Sequence, residues 1–212
     1  PLSPVIDAWL DEREREHRYA IYEMSPVLDG SGRLTNWARR CVADADIILL
    51  VGDAGDVAVP GAVEVALAVA ETRARLELVL LHPADCPAPA GTAKWLGTRR
   101  DAGLAVRAHH HVRRGHAADF RRLVRRMAGR PVGLALAGGG ARGWAHVGVL
   151  QALEEAGLEF DWVGGASMGA IVAGGCALDW SSERLRELAG QFSDPKKLLD
   201  YTLPYASLTS TR

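Results

Sequence analysis

The stretch Val132–Gly143, VGLALAGGGARG, is an apolar run that breaks into a glycine-rich loop. A second unit of the same kind, Phe160–Gly169, reads FDWVGGASMG. A short apolar run bounded by glycines reads as a buried strand that turns at its end. Gly138, Gly139, Gly140, Ala141, Arg142 and Gly143 fit a loop whose backbone N–H groups point at an anion. Ser167 lies in G-x-S-x-G, flanked by Gly165, Ala166, Met168 and Gly169. That spacing fits a tight strand-to-helix turn lifting a serine hydroxyl above a sheet, and the small flanking residues allow the turn. An oxyanion site beside a nucleophile reads as acyl transfer.

Each motif has a rival. Taken singly, the Ser167 motif also fits a glycine-rich helix N-terminus capped by serine. Gly138, Gly140 and Gly143 satisfy G-x-G-x-x-G, so a nucleotide-binding α/β module is the alternative function. That fingerprint wants an acidic residue at the far end of the next strand. Asp161 is at the right distance but at the start of its strand, whereas the far end delivers Ser167. Arg142 suits an anionic group or an ordinary surface charge.

Outward from these motifs, strand-like runs alternate with helical periodicity. Candidate strands are Tyr19–Glu23, Asp46–Val51, Leu76–His82, Leu104–Val112, Val132–Ala137 and Phe160–Gly164. Leu34, Trp37, Ala38, Cys41 and Val42 repeat at helical spacing, as do Phe120, Leu123, Val124 and Met127. This alternation predicts an α/β fold with parallel, three-layer sheets. Gly129-Arg130-Pro131 is the seam, because glycine ends a helix and proline cannot continue it. The expected organisation is a Rossmann-like N-terminal α/β unit over residues 1–130 and a hydrolase unit over 131–212.

Composition narrows the function classes. Of 212 residues, 48% are hydrophobic and 24% charged, which permits a packed core. A formal net charge of −1 argues against nucleic acid as a general partner. Cys41, Cys86 and Cys176 form neither a metal spacing nor a disulfide framework, consistent with a reducing compartment. The chain starts at Pro1 without a signal-like segment. The longest weakly polar run, Val163–Leu178, is shorter than the roughly 20 residues a membrane span needs.

The base is the open question in this constellation. A Ser-His-Asp hydrolase with this elbow places its histidine after the serine. All seven histidines here (His17, His82, His109, His110, His111, His116 and His146) precede Ser167. His146, on the helix after the glycine loop, reads as a packing or capping residue. A carboxylate acting on the serine is the economical remaining base. The downstream candidates are Asp179, Asp194 and Asp200, none in a glycine-supported turn.

Three other clusters read as structural. His109, His110 and His111 alternate across a strand and cannot converge on one ion, so no metal is expected. Asp53, Gly55 and Asp56 read as an ordinary βα turn. Arg121, Arg122, Arg125 and Arg126, on the predicted helix His116–Ala128, read first as a solvated face. A peripheral contact with anionic lipid headgroups is the alternative there.

These residues resemble the patatin-like phospholipases, in which a G-G-G-x-R-G oxyanion loop precedes a G-x-S-x-G nucleophile. Gly138–Gly143 maps onto the loop, Gly165–Gly169 onto the elbow and Trp144–Gly157 onto the helix between them. The upstream half is similar to the neuropathy target esterase branch in Asp46–Asp53, Leu78–His82, Lys94-Trp95-Leu96, His109–Arg113 and the basic helix to Arg126. The resemblance implies hydrolysis of phospholipid or lysophospholipid esters by a serine–aspartate dyad, without cofactor. It implies a cyclic-nucleotide-binding-like domain upstream, and a cytoplasmic protein that meets the inner face of a membrane peripherally. The family's aspartate stands in an Asp-Gly-Gly or Asp-Gly-Ala turn after the serine, and no such turn follows Ser167. Asp29-Gly30 precedes it. The expectation is that the chain stops within the patatin-like domain, with an incomplete sheet, and is inactive alone.

Overall fold

A parallel strand is covered on both faces and joined to the next through a helix, and the apolar runs of this chain fold that way. The computed structural model describes residues 4–70 and 72–192. The chain divides into two compact units, Pro1–Val124 and Arg125–Arg212. The fold is mixed α/β with two parallel sheets among the described residues.

In the first unit, β1 (Ile47–Asp53), β2 (Arg75–His82) and β3 (Val106–Arg113) form one parallel sheet in the order β1-β2-β3. Leu50 stands opposite Leu78, and Leu78 opposite His109. Helices α1 (Pro4–Glu16), α2 (Asn36–Asp44), α3 (Ala62–Ala68) and α4 (Thr92–Asp101) accompany it. Leu76, Leu78 and Leu80 of the central strand form the core with Ile48, Leu50 and Trp95. Two charges also enter this interior, and each is satisfied. Glu77 accepts a hydrogen bond from His110 Nε2 at 2.8 Å, both residues being buried. Arg99, stacked on Trp95, donates twice to Glu64 at 2.7 and 2.9 Å. Glu64 also accepts from the Gly61 amide and so holds the start of α3.

Two expected strands changed. Tyr19–Glu23 forms no strand; Ile21 is 95% exposed and the segment is anchored by side chains. Tyr22 Oη donates to Glu14 at 2.5 Å, and Trp37 Nε1 donates to the Glu23 carbonyl at 3.0 Å. Apolar alternation does not make a strand when no neighbouring edge takes up the backbone groups. The third strand starts at Val106, not Leu104, because the Leu104 amide closes α4 on the Arg99 carbonyl at 2.8 Å. Gly103 supplies the left-handed residue this helix ending needs, with φ +80°. After β3, α5 (Ala117–Met127) buries Asp119 while Phe120 and Val124 of its apolar stripe stay exposed.

The second unit is a β-α-β crossover. β4 (Gly133–Leu136) and β5 (Trp162–Gly165) are parallel and paired, Leu134 opposite Val163 and Leu136 opposite Gly165. A 3₁₀ turn (Gly140–Trp144) and α6 (Ala145–Glu155) connect them, and α7 (Met168–Ala177) and α8 (Ser182–Phe192) follow. Leu136, Val147, Leu150, Val172, Ala173 and Leu185 form its core. Two polar clamps hold the crossover. Arg125 donates to both oxygens of Asp161, at 2.6 and 3.0 Å, and to Glu159 at 2.7 Å. Asp161 also accepts from the Val132 amide at 2.8 Å, immediately before β4. Glu154 of α6 accepts from the Ser182 amide and hydroxyl at 3.0 and 2.5 Å, fixing the start of α8.

Candidate active site

Both motifs lie at the carboxyl ends of β4 and β5, the edge at which open α/β sheets bind ligands. Ser167 is the residue between β5 and α7, with φ 52° and ψ −123°. An L-residue adopts that backbone only under strain, of order 1–3 kcal/mol. The strain comes with direct contacts. The Gly169 and Ala170 amides close the turn onto the carbonyls of Ala166 and Ser167 at 3.0 and 2.9 Å. A Cβ on Gly165 would come within 2.3 Å of the Gly169 carbonyl oxygen. A Cβ on Gly169 would come within 2.3 Å of the Leu136 carbonyl oxygen. Both positions therefore exclude any side chain, and α7 can begin hard against β4. Among the described residues the exposed Ser167 hydroxyl has no hydrogen-bond partner.

The glycine loop reaches the same point. A Cβ on Gly138 would stand 3.3 Å from the Ser167 Cβ. Gly143 lies beneath Met168, whose Cγ would be 2.5 Å from an added Cβ. Gly140 has φ +54° and open space beside it, so a side chain there meets backbone strain and no neighbour. The amides of Gly139, Gly140 and Ala141 have no acceptor among the described residues, and all three residues are exposed. Arg142 is exposed on the 3₁₀ turn. Unspent donors on a loop next to a helix N-terminus can hold a negative oxygen.

The other sequence candidates fall elsewhere. His146 Nε2 donates to the Ala137 carbonyl at 2.8 Å, tying α6 to the residue before the loop. Asp179 lies two residues past the end of α7 (Met168–Ala177), in a left-handed backbone conformation. The ten residues of α7 span about 15 Å at 1.5 Å per residue, so Asp179 stands at the opposite end of the helix from Ser167, too far for direct proton transfer. Asp194 and Asp200 lie outside the described residues. Asp161, the acid expected at a dinucleotide-type distance, has its side chain fully buried on Arg125. That clamp was missed in the sequence, where Arg125 read as part of a solvated face; its only trace was an acid next to an expected strand.

In the first unit, His111 accepts or donates at both ring nitrogens, to His82 at 2.9 Å and to Thr92 Oγ1 at 3.3 Å. Burial, and then the neighbouring histidines, lower its pKa from 6.5 to about 4. Among the described residues no group of side chains could hold a metal ion. No helix among them is long and apolar enough to cross a membrane.

Comparison with known proteins places these features. Residues 6–128 match the profile described as Neuropathy Target Esterase family P-loop like domain, and residues 134–206 match that of patatin-like phospholipase. The chain is 33% identical to mouse patatin-like phospholipase domain-containing protein 7, over 97% of this chain and 17% of that protein. It is 34% identical to human patatin-like phospholipase domain-containing protein 6, over 96% of this chain and 16% of that protein. Against Cryptococcus neoformans lysophospholipase NTE1 the identity is 32%, over 97% of this chain and 15% of that protein. The chain thus spans about a sixth of the length of the curated relatives it matches. No solved structure matches it. The turn that closes β1 at Asp53 is held by its own side chains. Asp53 accepts the Gly55 amide at 3.0 Å through one carboxylate oxygen and Arg114 at 2.6 Å through the other. The two matched domains follow each other along one chain, and this chain belongs to the neuropathy target esterase family of patatin-like phospholipases.

Proposed function

We propose that Ser167 and the Gly138–Gly143 loop are the nucleophile and oxyanion site of a serine esterase acting on phospholipid or lysophospholipid acyl esters. The observation that carries this reading is the strained backbone of Ser167, φ 52° and ψ −123°, at the end of β5. Such strain holds a hydroxyl in the open above a sheet and has no structural use in a plain helix cap. The relatives' names, patatin-like phospholipase and lysophospholipase, support the substrate class.

In this mechanism Ser167 Oγ attacks the ester carbonyl carbon while its proton passes to a base. The amides of Gly139, Gly140 and Ala141 hold the oxyanion, each donor lowering the barrier by roughly 3 kcal/mol. Collapse expels the lysolipid or glycerol-type alcohol, which takes up the proton, and leaves an acyl-serine. Water then adds to the acyl carbon through the same oxyanion site and releases the carboxylic acid. The proposed base is an aspartate in an Asp-Gly turn beyond Arg212, which makes a serine–aspartate dyad. Access to lipid from the cytoplasm, at a membrane face, belongs to the same reading.

The test is labelling with a fluorophosphonate and hydrolysis of a lysophospholipid. It compares the 212-residue chain with a form extended through the next Asp-Gly-Gly or Asp-Gly-Ala turn. The extended form should hydrolyse the ester and label at Ser167, and the shorter one should do neither at a comparable rate. Dinucleotide binding to Gly138–Gly143 without labelling would favour the nucleotide-binding module instead.

A further inference from the structure

The first unit carries an apolar groove of about 730 Å³ between α2 and α3, remote in sequence from both glycine motifs. Its walls are Val42 and Leu34 on one side and Val65 and Val69 on the other. Val65 and Val69 are 53% and 84% exposed, so this face of α3 has no cover among the described residues. Volumes of roughly 300–1,000 Å³ are typical of small-ligand sites.

Two cations line the same groove. Arg33 has no hydrogen bond or ion pair from its guanidinium among the described residues, and Arg39 reaches only the Asn36 side-chain amide oxygen. The nearby Asp29 carboxylate feels the Arg33 charge, but its hydrogen bonds go to the Ser31 amide and hydroxyl and to the Arg33 amide, at 2.9, 2.7 and 3.1 Å. Other arginines of this unit do meet carboxylates, Arg40 with Asp11 and Asp44, Arg99 with Glu64 and Arg113 with Asp119. An apolar trough whose rim carries the exposed Arg33 and Arg39, neither within salt-bridge distance of a carboxylate among the described residues, complements a molecule with a long alkyl chain and one anionic end.

We propose that this groove binds a long-chain carboxylate, its alkyl chain on Val42, Val65 and Val69 and its carboxylate on Arg33 and Arg39. The choice of a fatty acid among anionic amphiphiles rests on the proposed esterase reading, in which that acid is the product. A site of this kind would retain product on the first unit.

The test uses the 212-residue chain and titrates it with dodecanoate, dodecanol and a doxyl-labelled stearate. Dodecanoate should bind with one-site stoichiometry and dodecanol about tenfold or more weakly. The spin label should broaden amide signals of α2 and α3. Val65→Lys should abolish binding, with Val69→Lys as the second variant should the first fail to fold, and the pair Arg33→Gln with Arg39→Gln should erase the preference for the carboxylate. Broadening confined to residues after Arg125, or unchanged binding in the lysine variants, would overturn the proposal. So would equal affinity for dodecanol, or a self-association broken by Val65→Lys without dodecanoate binding, which would make a second copy the occupant. Binding is read without turnover: dodecanoate binding in a protein whose extended form hydrolyses no ester would leave the groove standing and remove its description as a product site.

Discussion

An added Cβ on Gly138 would stand 3.3 Å from the Cβ of Ser167, so the glycine loop and the serine share one small space above β4 and β5. That distance is tighter than an ordinary contact but short of a clash. Gly169, one turn further, allows no such latitude, because an added Cβ would meet the Leu136 carbonyl at 2.3 Å.

These two glycines should separate activity from folding. Gly138→Ala is expected to fold and to lose about tenfold or more in fluorophosphonate labelling and ester hydrolysis of the extended enzyme. Gly169→Ala should destabilise the second unit by roughly 3 kcal/mol or more, since neither backbone can yield. Gly140→Val has free space but a φ of +54°, and should cost about 1–3 kcal/mol together with a large fall in kcat. Chemical denaturation beside initial-rate measurements distinguishes the three.

Ser167→Ala should abolish labelling and turnover while leaving the thermal midpoint nearly unchanged, because alanine inherits the strained backbone. Ser167→Gly should abolish both and raise stability by roughly 1 kcal/mol, since glycine tolerates φ 52°. A glycine variant no more stable than the alanine variant would show that the turn stores no strain.

The buried pair of Arg125 and Asp161 predicts an asymmetric response. Arg125→Met strands the fully buried Asp161 carboxylate and should cost roughly 3–5 kcal/mol. Asp161→Asn leaves Arg125 with Glu159 and keeps an acceptor for the Val132 amide, and should cost less. Urea unfolding of both variants tests the order.

Stability should fall with acid in two windows. The folded pKa of His111, about 4, lies below its ordinary 6.5, so the unfolded chain binds the proton first. Stability is therefore fully present above pH 6.5 and is lost as pH falls toward 4. Burial opposes ionisation of Asp119, but hydrogen bonds and charge from Arg113 hold its pKa at about 2, below 3.8. Its contribution is present above pH 3.8 and disappears as pH falls through about 2. His111→Asn should flatten the upper window and leave the lower one, as read from denaturation midpoints against pH.

The order of strands and helices from Ile47 onward was legible because each parallel strand is a short apolar run closed by turn residues. The runs around Leu78 and Leu134 are such cases. Tyr19–Glu23 shows the limit, since its pattern is that of a strand, yet it joins neither edge of the β1-β2-β3 sheet and is anchored through Tyr22 and Trp37 instead. The α5 stripe shows another: Phe120 and Val124 repeat at core spacing yet remain exposed, while Asp119 is buried by the Arg113 side chain.

The sequence by itself determined which residue types follow β4 and β5, and that no histidine stands between Ser167 and Arg212, since both are matters of chain order. Only the tertiary structure decided that Gly138 approaches Ser167, that Gly165 and Gly169 leave no room for a side chain, and that Asp161 belongs to Arg125. Those are distances between residues far apart in the chain, set when parallel pairing brings β4 beside β5, and no local pattern encodes them.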